Sequence, residues 1–194
     1  MEKWVGKIAV VTGASAGIGA AIVSDFAKFG IHVIGLARRV EKIEDLIKSL
    51  GPTIGKIHAY KCDVSDQESI KAAFKWIEEK FGNIHILVNN AGVVKNVGIL
   101  DAGDEAGNKL NEIISINFTG LIHCSREGFQ LIKKSNNYGF IININSIAGQ
   151  SVTFIDGMKF NVYPATKHAV RATLEVLRQE LISMKNNTIR VSVS

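Results

Sequence analysis

Ile8-Ala9-Val10-Val11-Thr12-Gly13-Ala14-Ser15-Ala16-Gly17-Ile18-Gly19 carries a short apolar, β-branched run straight into a turn with three glycines. The run from Ile8 to Thr12 reads as a strand buried on both faces, as in a parallel sheet, and Gly13 breaks it. Beyond the turn, Ala16 to Phe29 has helical periodicity, with Ile18, Ile22, Phe26 and Phe29 at three- and four-residue steps and Gly30 ending it. The glycines are spaced GxxxGxG and not GxGxxG, but the physics is shared. Glycines permit a tight turn and close backbone approach to a pyrophosphate, which then sits at the positive end of the helix.

Outward from this unit the same alternation continues. Strands are expected at Ile31–Ala37, Lys56–Cys62, Ile84–Val88, Gly139–Asn145 and Thr188–Ser194. Between them lie a charged amphipathic helix, Val40–Leu50, with Ile43, Leu46, Ile47 and Leu50 inward, and a helix Ser65–Phe81 with Ser65 as N-cap and Glu68 as its capping-box partner. A long helix, Glu105 to Lys134, and another, Pro164 to Met184, complete the pattern. Strand and helix alternating throughout predict one α/β domain over residues 1–194, a doubly wound, Rossmann-like parallel sheet of six strands. Ligands of such sheets bind at the carboxyl ends of the strands.

Composition agrees with one globular domain: hydrophobic residues make up 46% and charged residues 21% of the 194. The net charge of +5 comes from scattered Lys and Arg, which argues for a solvated surface over a nucleic-acid patch. Cys62 and Cys124 lack any CxxC or metal spacing and read as reduced thiols of a cytoplasmic protein. His32, His58, His85, His123 and His168 are scattered, so no metal site is expected. The N-terminus lacks the long apolar region of a signal peptide, and no run approaches the ~20 apolar residues that span a bilayer.

Two further features carry chemistry. Tyr163-Pro164-Ala165-Thr166-Lys167 places Tyr163 and Lys167 on one helix face about a turn apart, with Pro164 suited to the first turn. An ammonium beside a phenol favours the phenolate, which suits the tyrosine to proton transfer at a reacting oxygen. Arg38 and Arg39 follow the second strand, and no Asp or Glu occurs between Ile31 and Val40. Cations are unfavourable at a helix start, so the pair points to an anionic ligand, the 2′-phosphate of NADP in preference to the 2′-hydroxyl of NAD.

With Gly13, Gly17 and Gly19, Cys62-Asp63-Val64, Asn89-Asn90-Ala91-Gly92, Asn117, Ser146 and the Tyr163/Lys167 pair in this order, the sequence resembles the short-chain dehydrogenase/reductase family over its full length. The resemblance implies hydride transfer between a nicotinamide cofactor and an alcohol or carbonyl carbon. It implies Tyr163 as acid/base, Lys167 as its partner and ribose ligand, Ser146 on the reacting oxygen, and Asn117 bending its helix and holding a proton-relay water. Gly13, Ser15, Gly17, Ile18 and Gly19 would cradle the cofactor's phosphates. Asp63 and Val64 would meet the adenine, and Asn90, Ala91 and Gly92 would line its path, with Asn89 and Asn90 also pinning neighbouring strands.

Trp4-Val5-Gly6-Lys7, Gly35-Leu36-Ala37-Arg38-Arg39 and Asn161-Val162-Tyr163 are similar to farnesol-dehydrogenase-like members, which implies a small apolar alcohol or carbonyl substrate of isoprenoid, retinoid or steroid kind. The family also implies a homodimer or homotetramer built on the long helix and the one containing Leu174, Leu177 and Leu181. Two departures stand out. The interval between Ser146 and Tyr163 is longer than usual, the extra residues falling in Ser151 to Asn161. The chain also stops at strand six, so the resemblance implies a C-terminally incomplete copy lacking a seventh strand. A non-catalytic nucleotide-binding protein on the same fold is the alternative at this point.

Overall fold

The computed structural model describes residues 2–136, 138–152 and 154–194; Met1, Asn137 and Thr153, the last inside the Ser151–Asn161 loop singled out above, lie outside the described residues. Six strands, β1 (Ile8–Thr12), β2 (His32–Ala37), β3 (Ile57–Lys61), β4 (Ile86–Asn89), β5 (Gly139–Asn143) and β6 (Ile189–Val193), form one sheet in the order β3-β2-β1-β4-β5-β6. Every pairing is parallel, with Val10 opposite Ile34 on one side and Leu87 on the other. The helices are α1 (Gly17–Lys28), α2 (Val40–Leu50), α3 (Gln67–Phe81), α4 (Asp104–Ile114), α5 (Gly120–Lys133) and α6 (Tyr163–Ser183).

Side chains alternate across each strand, so one strand feeds two cores. Val10, Ile34, Leu36, Leu87 and Ile141 pack with Ile70, Phe74 and Ile77 of α3 and with Cys124, Leu131 and Ile132 of α5. Ala9, Val11, Val33, Ile86 and Val88 pack with Val23 and Ala27 of α1 and Ile43 of α2. A third cluster of Val97, Ala106 and Ile113 lies against Val93, Val162 and Tyr163. The strand order reverses between β1 and β4, which opens a crevice at their carboxyl ends.

Two expectations need correction. Asp66, not Ser65, caps α3: its Oδ1 accepts the Glu68 N–H at 3.0 Å, while the Ser65 hydroxyl donates to Asp63 at 2.7 Å. The long helix is interrupted by a π-helical turn, Ser115–Thr119, with Asn117 inside it. The buried face of α1 is Gly19, Val23, Ser24 and Ala27, with Ile22 and Phe26 half-buried against the same core and Ile18 and Phe29 exposed.

Candidate active site

The crevice is a groove of about 440 Å³ running from Arg38 and Arg39 after β2, past the glycine turn, to Tyr163 and Lys167 at the start of α6. Gly13, Ser15, Ala16, Gly17, Ile18, Asp63, Val64, Asn90, Ala91 and Gly92 line it, together with Val93, Val94, Ile116, Ile144 and Asn145. The turn is held by Thr12. Its Oγ1 accepts the N–H groups of Asn90 and Ala91, both at 3.0 Å, and donates to the Val88 carbonyl at 3.4 Å. Asn90 Nδ2 donates back to the carbonyls of Thr12 at 2.9 Å and Gly13 at 3.3 Å, so β1 and β4 end in register. Asn89 instead bonds side chains, Ser125 and Asn143, both at 2.9 Å.

Gly13 and Gly17 have φ of +66° and +56°, which side-chain-bearing residues rarely adopt. Gly19 does not face the groove; a Cβ there would meet the Gly13 carbonyl oxygen at 2.3 Å, so it lets α1 pack beneath the turn. Helix α1 begins after Ala16 with no side-chain cap and no acidic residue in its first turn. Its leading N–H groups and the positive end of its dipole therefore face the groove unneutralised by a side chain.

At the far end, Lys167 is 5% exposed, and its Nζ donates to the Ile144 carbonyl at 2.9 Å and lies 5.9 Å from the centre of the Tyr163 ring. Burial holds its pKa below the ordinary lysine value. Asn117 is buried, and both ends of its side chain engage Val93: Oδ1 accepts the N–H at 2.7 Å and Nδ2 donates to the carbonyl at 2.9 Å. The side chain is thereby committed to the loop after β4. Ser146 starts a 3₁₀ turn, Ile147–Gly149, and its Oγ accepts the Ala148 N–H at 3.2 Å; it sits beside the groove lining and not in it. Asp63 also serves as a local cap, accepting from the Ser65 N–H at 2.9 Å and hydroxyl at 2.7 Å.

Arg38 is not a free surface charge. Its Nη1 lies 3.7 Å from Glu112 of α4, whose other carboxylate oxygen is 3.2 Å from Lys95. Neither Glu112 nor Lys95 was expected from the sequence, and neither was Asn145, which lines the groove with a buried, unpartnered Oδ1. Pairs so distant along the chain leave no local pattern. Among the described residues, no group of three or more His, Cys, Asp or Glu could hold a metal ion.

The profile of the short chain dehydrogenase family matches residues 7–194. The chain belongs to that family. As a short-chain dehydrogenase it is 47% identical to a farnesol dehydrogenase of Aedes aegypti over 195 residues, spanning 100% of this chain and 77% of that protein. It is 40% identical to dehydrogenase/reductase SDR family member 11 of Homo sapiens over 185 residues, 93% of this chain and 69% of the other. Among solved structures, a metagenomic short-chain oxidoreductase in complex with NADP superposes with a TM-score of 0.83 at 28% identity, covering 98% of this chain and 81% of that one. The family implies a nicotinamide dinucleotide, and this dehydrogenase's groove fits one. Gly17 leaves open space where a Cβ would stand, the α1 N-terminus is uncapped, and a Cβ on Gly92 would stand 3.8 Å from Lys167 Nζ, in space the glycine leaves free beside the ammonium.

Proposed function

We propose that the chain is an NADP-dependent oxidoreductase that moves a hydride between the nicotinamide and a CH–OH or C=O carbon of an apolar alcohol, aldehyde or ketone of farnesol, retinol or steroid kind. One observation carries the reading: Tyr163 and the buried Lys167 line the same groove as the glycine turn.

Gly13, Ser15, Gly17, Ile18 and the amides of α1 would hold the pyrophosphate. Arg38 and Arg39 would take the 2′-phosphate, for which a planar, permanently charged guanidinium is well suited. Asp63 and Val64 would meet the adenine, and Lys167 would hold the nicotinamide ribose, with Tyr163 beside it. The bound nicotinamide supplies or accepts the hydride. Tyr163 gives or takes the proton at the substrate oxygen. Lys167, desolvated but still hydrogen-bonded to Ile144, holds positive charge near that phenol. Ser146 accepts from Ala148, so its own hydroxyl hydrogen remains available to donate to the reacting oxygen. Asn117 fixes the loop that forms the groove wall. Val94, which lines the groove, and Ile147, next to Ser146, are exposed apolar side chains at this end and favour an apolar substrate.

The oligomer we propose is a homodimer or homotetramer through α5 and α6, where Phe129, Val176, Leu177 and Met184 line an apolar groove of about 450 Å³. The buried, unpaired Cys62 and Cys124 suit the reducing cytoplasm. Following NADPH absorbance with farnesal, retinal and steroid ketones tests the activity. Tyr163→Phe is expected to abolish turnover and leave NADPH affinity within about twofold, since general acid–base groups contribute ~10²–10⁴-fold. Arg38→Asp is expected to reverse the NADPH-over-NADH preference in kcat/KM. NADPH binding without turnover on any carbonyl would establish a non-catalytic nucleotide-binding protein instead.

A further inference from the structure

Lys159 and Asn161, in the loop before α6, stitch it to the loop after β4 at three points. Asn161 Nδ2 donates to the Lys95 carbonyl at 2.7 Å, the Lys159 N–H donates to Asn96 Oδ1 at 3.1 Å, and Lys159 Nζ donates to Asp101 Oδ1 at 2.7 Å. The other Asp101 oxygen accepts the Gly98 N–H at 2.8 Å, which folds that loop on itself. Asn161 sits at φ +50°, a conformation that asparagine tolerates better than most residues. This conformation leaves its side chain bridging two elements. While Nδ2 holds Lys95, Oδ1 accepts the backbone N–H of Tyr163 at 3.0 Å.

We propose that Asn161 is a positioning residue for the reaction, a latch that ties the first residue of α6 to the loop over the groove and so aims the Tyr163 phenol. Lys159 and Asp101 form an outer clasp of the same latch and set the width of the substrate mouth between the two loops. Each loop carries a bare apolar side chain, Leu100 at 97% exposure on one and Phe154 at 88% on the other. The two roles differ in kind. Asn161 touches the catalytic helix, whereas Lys159 touches only the opposite loop. The inference rests on the reading of Tyr163 as the acid/base.

Three substitutions, two at Asn161 and one at Lys159, separate these roles. Asn161→Gly keeps the left-handed backbone and removes both bonds. Asn161→Asp keeps the acceptor for Tyr163 but turns a carboxylate toward the Lys95 carbonyl. Both are expected to lower kcat about tenfold or more, since small misplacements of a reacting group carry such penalties, with the NADPH dissociation constant within about twofold of wild type. Lys159→Ala is expected to raise KM for the apolar substrate several-fold with kcat nearly unchanged. Trypsin cleavage after Lys159, followed by mass spectrometry on the NADPH complex, should accelerate in both Asn161 variants, a readout that needs no turnover. Full kcat in the Asn161 variants, NADPH affinity falling in step with kcat, or unchanged cleavage would each overturn the latch. Wild-type turnover in Tyr163→Phe would instead overturn the reading beneath it.

Discussion

Two glycines of one turn do different physical jobs, and the difference can be measured. A Cβ at Gly19 would meet a backbone carbonyl oxygen at 2.3 Å and Asn90 Nδ2 at 2.4 Å, neither of which can yield without breaking the β1–β4 junction. A Cβ at Gly17 would meet nothing within 4 Å, but the residue sits at φ +56° on the groove rim. Gly19→Ala is therefore expected to cost about 1–3 kcal/mol of folding stability from overpacking and to weaken NADPH binding as well. Gly17→Ala should cost about 1 kcal/mol from its backbone alone, with the larger effect on NADPH affinity. Thermal unfolding with and without NADPH separates them; equal losses of stability would contradict the assignment. At this scale the sequence was readable for residues that answer to the backbone, such as Gly13 and Gly17. It misled where two capping residues adjoin. Ser65 and Asp66 are both good caps, and only the Asp63 carboxylate, by taking the Ser65 hydroxyl, hands α3 to Asp66.

Elements were legible where a period and a punctuating residue coincide, as in β1 and α2. The long helix was legible from its period only as one continuous run, and the bend at Asn117 came from the resemblance alone. The π turn is placed by Asn117, whose two bonds to Val93 fix where the wall of the groove can stand. The clasp Arg38–Glu112–Lys95, joining the ends of β2 and β4 through α4, was invisible for another reason. It is made by three exposed or half-exposed charges with no sequence neighbour in common. The join between β1 and β4 is the more testable case. Thr12 is 2% exposed and its hydroxyl serves two backbone N–H groups at once. Thr12→Val keeps the shape and strands both donors, so a loss of about 2 kcal/mol is expected in urea unfolding. NADPH affinity should fall too, because Ala91 Cα stands under the Gly13 turn. A Thr12→Val protein as stable as wild type would mean that other acceptors take over these amides.

For the molecule as a whole, the end of the sheet opposite the groove carries its own electrostatic signature. His85 precedes β4 and its Nδ1 accepts the Ile8 N–H at 3.3 Å, while His58 in β3 stacks edge-on against Phe81, ring centres 5.0 Å apart. Burial, reinforced by Lys7, holds the His85 pKa below its ordinary 6.5. Burial, then Lys80, His32 and Lys56, does the same for His58. A base whose folded pKa is depressed stays neutral in the native state while the unfolded chain takes up a proton. Stability is thus fully present above pH 6.5 and is lost as the pH falls through that value toward the lower folded pKa values. The net charge of +5 at pH 7 adds self-repulsion in the same direction. The melting temperature should accordingly fall between pH 7 and pH 5. His58→Gln, which removes one titration without touching the Ile8 bond, should flatten that fall. Because burial is the larger cause for both groups, added salt should recover only part of the loss. An equally steep fall in the His58→Gln, His85→Gln double variant would assign the acid sensitivity to the carboxylate ion pairs, most of which join exposed side chains and individually contribute little.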